Sequence, residues 1–198
     1  GFESWLEHRG PLEDTLARAK ELLAADDGRP LFLFVHTYRT HAPYHVSEES
    51  RAALAPAIAI EGRWPAWHAR LQQLAAKPGR TPEEARRLAK ALERVRAFYL
   101  GTAADLDRGI ARFLAELDAR GLADAGLVFT SDHGEAFLEH DAVYHPGKVW
   151  EELVRVPLLV RAPGVRPGLE ARPASLVDLP ATLARLAGIE PDQSWIGV

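Results

Sequence analysis

The stretch "LVFTSDHGEAFLEHDAVYHPGK", residues 127–148, changes within a few residues from an apolar run into a loop rich in ionisable side chains. The apolar run, residues 125–130, is short and apolar on both sides, which predicts a buried strand. Residues 31–36 (LFLFVH) and 156–163 (VPLLVRAP) have the same character. Strands of this kind belong to sheets that are covered by helices on both faces. We therefore predict an α/β fold.

Helical patterns separate these apolar runs. Residues 11–26 and 175–188 carry apolar side chains at helical spacing. A longer pattern, 81–120, begins with a Thr-Pro-x-Glu capping box and ends before Gly121, a residue type that commonly ends helices. Residues 51–80 mix helical fragments with prolines and tryptophans, and we predict an excursion from the main sheet there. The alternation of helices and short strands supports the α/β fold.

The bulk composition bounds the class of protein. The chain has 198 residues, of which 47% are hydrophobic and 26% charged, and we predict a single α/β domain over residues 1–198. A net charge of -4 argues against a nucleic-acid binder, which normally carries a basic face. No apolar run approaches the roughly 18 residues of a membrane span. The chain has no cysteine, so no thiolate nucleophile is available. Because it also has no methionine, we expect Gly1 to be an internal position of a longer protein.

Ionisable side chains follow two of the predicted strands. In open α/β sheets, ligands bind beyond the carboxyl ends of the strands, and neighbouring strands deliver their loops to one edge. We therefore expect the loops after residues 31–36 and 125–130 to converge. The side chains that these loops offer to metals, protons or anions are His36, His41, Asp132, His133, Glu135, His140, His145 and Lys148.

Two adjacent residues form a candidate metal site. Asp132 offers a carboxylate oxygen and His133 an imidazole nitrogen, a mixed ligand pair that suits a divalent cation. Further ligands would have to come from elsewhere. The alternative is that Asp132 and Glu135, three residues apart, form a helix capping box without any chemistry. In either case we interpret Glu135 as structural.

Three other side chains form a candidate anion site. His41, His145 and Lys148 offer hydrogen-bond donors and positive charge, which phosphate or sulfate oxygens would satisfy. Each of them taken singly also fits a surface or turn position. His36, at the end of an apolar strand, is expected to be a hydrogen-bonded core histidine, and His140 a solvated helix residue.

Several longer motifs, taken in order, resemble one family. Residues 129–140 (FTSDHGEAFLEH), 150–164 (WEELVRVPLLVRAPG) and 175–189 (SLVDLPATLARLAGI) resemble the later half of sulfatases of the alkaline phosphatase superfamily. Residues 31–44 (LFLFVHTYRTHAPY) resemble that family's strand and loop ending in His-x-Pro-Tyr. Residues 98–122 are similar to the helix before the Asp-His-Gly strand, with Asp107 at the family's acidic position. The serial order makes the likeness more specific than any single motif.

The resemblance implies a fold and an activity. The fold would be a three-layer, alkaline-phosphatase-like sheet with helices on both faces, present in part because the amino-terminal portion is absent. Residues 1–198 would be the later portion of a sulfatase-type catalytic domain. The activity would be hydrolysis of a sulfate ester, on a small molecule or a glycan, through a divalent cation and a nucleophile outside this chain. The family is compatible with a periplasmic or membrane-associated location.

The resemblance also assigns roles to residues. By position, Asp132 and His133 would be metal ligands, and His41 and His145 would be catalytic and would contact the sulfate oxygens. Lys148 would be a further substrate-binding residue. The cation would be Ca²⁺ or Mg²⁺ in a sulfatase, and Zn²⁺ or Mn²⁺ in a related phosphate-ester enzyme. This piece alone is expected to be inactive.

The chain departs from the family in two respects. It has Leu138, Asp141 and Tyr144 where the family usually has glycine, so the backbone around His145 is expected to differ. It also lacks the family's paired aspartates and its Cys/Ser-x-Pro-x-Arg segment, which carries the nucleophile. Two alternatives therefore stay open: a phosphodiesterase or phosphoethanolamine-type transferase of the same superfamily, and a degenerate, non-catalytic relative that serves as a binding module.

Overall fold

The computed structural model describes residues 11–25, 28–54 and 68–197. Within these ranges the predicted mixture of helices and short strands is present. The first predicted helix extends beyond the described residues at its carboxyl end, and residues 55–67 of the predicted excursion also lie outside them. In chain order the elements are α1 (Leu12–Ala24), α2 (Glu48–Leu54), α3 (His68–Ala75), α4 (Pro82–Ala119), β1 (Leu127–Thr130), β2 (Ala136–Phe137), β3 (Val143–Tyr144), α5 (Glu151–Val154), β4 (Leu158–Arg161), a 3-10 turn (Leu176–Asp178) and α6 (Leu179–Leu186).

The long helix α4 confirms the prediction for residues 81–120. The capping box is formed, because the Thr81 hydroxyl accepts from the Glu84 N–H at 3.2 Å and the Glu84 carboxylate accepts from the Thr81 N–H at 3.0 Å. Gly121 follows the helix with a φ of 77°, a conformation that glycine adopts without steric cost. Helix α1 packs against α4 where Gly109 leaves room for Leu12.

Two small antiparallel sheets carry the loops of interest. Strands β1 and β4 pair with Leu127 opposite Arg161 and Thr130 opposite Leu158. Strands β2 and β3 form a hairpin with Ala136 opposite Tyr144 and Phe137 opposite Val143. Strand β3 of this hairpin packs into the main core through Val143 and Tyr144, together with helices α3 and α4. The core residues are Tyr44, Leu71, Ala75, Leu88, Leu92, Val95, Ala97, Phe98, Val143 and Tyr144.

The prediction of buried strands is wrong in two places. Residues 31–36 are extended but belong to neither sheet, and Leu31, Phe32 and Phe34 are each 60% exposed. Strand β4 forms, but its Leu159 is 59% exposed. A run of apolar residues becomes a buried strand only when other strands and helices cover it, and the described residues supply no such cover here. Two small sheets support an α/β fold, whereas the three-layer sheet stays a prediction.

The expected core histidine is also on the surface. His36 is exposed, and its ring packs edge to face against Tyr38 with 4.8 Å between the ring centroids. It lies at the end of an extended segment that is itself uncovered. The prediction of a buried, hydrogen-bonded His36 is therefore wrong.

Candidate active site

The chain turns sharply where strand β1 ends. The Ser131 hydroxyl donates to the His133 carbonyl at 2.7 Å, and the Gly134 N–H donates to the Leu153 carbonyl at 2.7 Å. The first bond closes the turn and the second fixes it to helix α5. Asp132 and His133 therefore lie at the carboxyl end of β1, where an α/β sheet normally binds its ligands.

Three histidines converge at this end of the strand. The ring centroid of His145 lies 4.3 Å from that of His133 and 5.0 Å from that of His41. These rings come from the loops after residues 31–36 and after strand β1, so the predicted convergence of the two loops is confirmed. The His145 and His133 side chains are 32% and 39% exposed, which leaves both accessible to a solute.

Asp132 and His133 fit a shared cation. The Asp132 Oδ2 atom lies 3.8 Å from the His133 Nε2 atom, and metal–ligand distances of about 2.0–2.4 Å would let one ion contact both. The His133 Nδ1 atom is 2.8 Å from the Gly134 carbonyl, so Nδ1–H donates there and Nε2 keeps its lone pair. Metal-binding histidines are typically held in this way. Within the described ranges, no group of three or more such ligands is assembled.

The capping-box alternative for Asp132 and Glu135 is wrong. No helix begins there; residues 136–137 form strand β2 instead. His140 is likewise not in a helix. It lies in the β2–β3 connection, stacked on Trp150 at 4.5 Å between centroids, with its Nδ1 atom 2.7 Å from the Glu152 carboxylate.

Glu135 has a more specific environment than the sequence suggested. Its side chain is only 6% exposed, and its carboxylate lies between two partners. Tyr44 donates its hydroxyl to Oε2 at 2.5 Å, and the His145 Nδ1 atom is 3.0 Å from Oε1. Burial and the nearby Glu135 carboxylate raise the pKa of Tyr44, so its phenol stays protonated and donates. The same two causes raise the pKa of Tyr144 to about 12.

A second buried carboxylate anchors the segment that carries His41. Asp105 of helix α4 is 6% exposed. Its carboxylate accepts from the Ser47 N–H at 2.9 Å and from the Ser50 hydroxyl at 2.6 Å, and it pairs with Arg39 and Arg108. Arg39 and Ser47 flank His41 along the chain. The network therefore ties the His41 loop to the long helix on both sides.

The acidic residue that the resemblance points to is not the buried one of this helix, and the family role of Asp107 stays a prediction. Asp107 is exposed, and the buried carboxylate is Asp105, two residues earlier. Both residues stand in the same stretch, so the sequence alone offered two candidates. A usable signal was the pair of serines, Ser47 and Ser50, in the segment that packs against the helix.

Asp105 makes the stability of the protein depend on pH. Burial opposes its charged form, but hydrogen bonds from Ser47, Ser50 and Arg39 outweigh burial and lower its pKa from 3.8 to about 2. A lowered pKa stabilises the fold above the unfolded value and loses that contribution as the pH falls from about 4 to about 2. With allowance for solvent near Arg39 and Arg108, the contribution is about 1–2 kcal/mol.

We therefore expect Asp105→Asn to flatten the acid limb of the stability curve. The free energy of unfolding, measured by urea titration between pH 6 and pH 2, should fall by about 1–2 kcal/mol less in the variant than in the unsubstituted protein. If the free energy of unfolding falls equally in the two proteins, Asp105 has the same pKa in the folded and unfolded chains and the expectation is wrong.

Lys148 is placed differently from the histidines. It is exposed, and within the described part of the chain it forms no hydrogen bond or ion pair. Gly147, with a φ of 67°, separates it from the turn that holds His145. Its role in substrate binding stays a prediction.

The three positions where the family usually has glycine keep a glycine-like backbone. Leu138, Asp141 and Tyr144 have φ values of 87°, 51° and 67°. Each lies in the left-handed region that glycine favours, and the expected difference from the family's backbone stays a prediction. For residues with a side chain this region costs about 1–2 kcal/mol each. Local contacts offset the cost: Tyr144 packs into the core and Asp141 pairs with Arg80 at 2.5 Å.

No helix among the described residues is both long enough and apolar enough to cross a membrane.

The chain is similar in sequence to known sulfatases. The chain is 38% identical over 100 residues to arylsulfatase K of Danio rerio. This match covers 50% of this chain and 19% of that protein. It is 44% identical over 107 residues to steryl-sulfatase of Mus musculus. This second match covers 46% of this chain and 17% of that protein. The matches thus span about a fifth of these relatives.

A solved structure shares the fold. The structure of BT4656 in complex with its substrate D-glucosamine-2-N,6-O-disulfate matches with a TM-score of 0.65 at 19% identity, over 98% of this chain and 52% of that chain. The family model described as Sulfatase matches residues 5–189. The chain therefore belongs to the sulfatase family, and with it to the alkaline phosphatase superfamily.

Proposed function

We propose that this chain supplies part of the active site of a sulfuric ester hydrolase, with the nucleophile and the remaining metal ligands on a part of the protein outside residues 1–198. The observation that supports this most is the convergence of His41, His133 and His145 beside Asp132 at the end of β1. Imidazoles and a carboxylate in one accessible cluster suit a site that holds a cation and an anionic ester together.

Asp132 and His133 would hold one divalent cation, Ca²⁺ or Mg²⁺ in a sulfatase. When bound, the cation supplies positive charge beside the oxygens of the transferring group, where negative charge develops. The partner of His133, the Gly134 carbonyl, fixes the ring so that Nε2 faces this position.

His41 and His145 would contact the ester. Their rings are close enough to bind oxygens of the same sulfuryl group, and one of them would donate a proton to the leaving oxygen. The attacking group would come from outside this chain, which has no cysteine. The substrate would be a sulfate ester of a small molecule or a glycan, and the sulfated glucosamine bound by BT4656 is an example of the second class.

The proposal includes the fold of the complete domain. Residues 1–198 would be the later portion of one catalytic domain, in which residues 31–36 and strand β1 join a three-layer sheet with helices on both faces. The exposed Leu31, Phe32 and Phe34 support this, because that much apolar surface is normally covered in a folded protein.

Replacing His145 with alanine tests the proposal in the complete protein. We expect the turnover of p-nitrophenyl sulfate to fall at least tenfold, because a charge-stabilising contact to the transferring group is lost, and such contacts are worth about two to three powers of ten in rate. His45→Ala is the matched control, since His45 is an exposed histidine on the neighbouring loop. Unchanged turnover in His145→Ala would remove His145 from the site.

Assays on the same purified, complete protein distinguish the sulfatase from the two alternatives, a phosphodiesterase and a non-catalytic binding module. Hydrolysis of bis-p-nitrophenyl phosphate in preference to the sulfate would favour a phosphodiesterase. Absence of a bound divalent cation by elemental analysis, together with no activity on either ester, would favour a non-catalytic binding module.

A further inference from the structure

The hairpin of β2 and β3 places a buried carboxylate behind the histidine cluster. Ala136 pairs with Tyr144, so the next residues outward, Glu135 and His145, stand opposite each other at the open end of the hairpin. Opposite side chains of an antiparallel pair lie close enough to interact directly. The pairing register of the two strands therefore places the side chains of Glu135 and His145 next to each other.

Both oxygens of Glu135 are occupied by side chains. An ionised carboxylate only accepts hydrogen bonds, so the partners must both donate. Tyr44 donates its hydroxyl to Oε2 at 2.5 Å, and His145 donates Nδ1–H to Oε1 over 3.0 Å. Tyr44 is itself fully buried, with its ring against Tyr99 at 5.6 Å between centroids. The carboxylate is thus held from behind by a rigid, buried phenol.

The consequence concerns which nitrogen of His145 reaches the site. Because Nδ1–H is given to Glu135, any contact with an ester oxygen is made through Nε2. The ring plane is fixed on its other sides by His133 and His41, with centroids at 4.3 Å and 5.0 Å. Loss of Glu135 would remove the acceptor for Nδ1–H and let the ring rotate away from this orientation.

We propose that Glu135 is a positioning residue that, anchored by Tyr44, accepts the Nδ1–H of His145 and fixes the orientation of its ring so that the Nε2 atom faces the substrate. The assignment rests on the proposed function of His145. It replaces the interpretation of Glu135 as merely structural, and it makes Tyr44 part of the same unit although Tyr44 touches no substrate.

The kinetic test uses a double-mutant cycle in the complete protein. Glu135→Ala should lower the turnover of p-nitrophenyl sulfate about 10–100-fold, as loss of an orienting partner typically does, and Glu135→Gln, which keeps an acceptor for Nδ1–H, should recover part of the loss. Tyr44→Phe, which keeps the buried ring, should have a smaller effect in the same direction. The Glu135→Ala/His145→Ala double variant should be no slower than His145→Ala alone, because the two residues act as one unit. A double variant with the product of the two losses would overturn the proposal.

A second measurement does not depend on activity. Nitrogen NMR of ¹⁵N-histidine-labelled protein, with His145 assigned by its loss in His145→Ala, should show a protonated Nδ1 in the unsubstituted protein and a changed signal in Glu135→Ala. Glu151→Gln, an exposed carboxylate on helix α5, is the matched control and should leave the signal unchanged. An unprotonated Nδ1, or a signal indifferent to Glu135→Ala, would overturn the proposal. If the protein proves inactive on sulfate esters, the sulfatase proposal fails and this measurement still decides the role of Glu135.

Discussion

Replacing Gly134 with alanine is expected to destabilise the protein by about 2–3 kcal/mol, the upper range for forcing extra volume into a packed site. A Cβ atom at this position would lie 2.1 Å from the Glu152 carbonyl oxygen and 3.1 Å from its carbon. The neighbouring atoms are backbone, which cannot rotate away as a side chain can. The loop cannot retreat either without losing the 2.7 Å bond from the Gly134 N–H to Leu153. The free energy of unfolding in urea measures the effect.

Gly126→Ala is the matched control for Gly134→Ala. A Cβ atom on Gly126 would meet nothing within 4 Å, so its substitution should change the free energy of unfolding by less than about 0.5 kcal/mol. Because Gly134 stands between His133 and Glu135, its variant should also lose turnover. Equal stability of the two variants would mean that helix α5 does not hold the loop.

Replacing Asp105 with alanine is expected to cost about 3 kcal/mol, the lower end of the range for removing one partner of a buried ion pair. The lower end applies because the Arg39 and Arg108 side chains are 16% and 25% exposed and retain some water. The variant would leave both guanidinium groups without their shared carboxylate and would remove the hydrogen bonds that Ser47 and Ser50 donate to it. Thermal or urea unfolding measures the loss.

Asp107→Ala is the control on the same helix, two residues away and exposed, and should stay within about 0.5 kcal/mol of the unsubstituted protein. The position of His41 should respond as well, since the network anchors its loop. A Michaelis constant and turnover unchanged in Asp105→Ala would show that the loop keeps its position without the network.

Most of the candidate site could be predicted from the sequence because its residues are carried by contiguous motifs. His41, Asp132, His133 and His145 lie in two loops that each follow an apolar run, and the resemblance to sulfatases selected them from a larger set that also held His36 and His140. The sequence could not predict Glu135 in the same way, because its partner depends on the hairpin register. The connection between the two strands contains Leu138 and Asp141 in the left-handed conformation, which cannot be recognised from their residue types.

The choice between Asp105 and Asp107 shows the same limit on a helix. Two residues apart on a helix of 3.6 residues per turn, the side chains point about 200° apart, so only one can face the His41 loop. Which one does so depends on how the helix is rotated against its neighbours. The sequence predicts a helix with two carboxylates, and the packing of the helix against its neighbours decides that Asp105 is the buried one.

By itself the sequence determined the helix over residues 82–119, strands β1 and β4, the family, and the set of histidines that meet at the end of β1. Local periodicity, capping residues and motif order carry that information because each depends on neighbours along the chain. The tertiary structure alone decided that residues 31–36 are uncovered, that Asp105 holds the His41 loop, and that Glu135 joins Tyr44 to His145. These features depend on strand pairing, helix rotation and hairpin register, which are set by contacts between segments far apart in the chain.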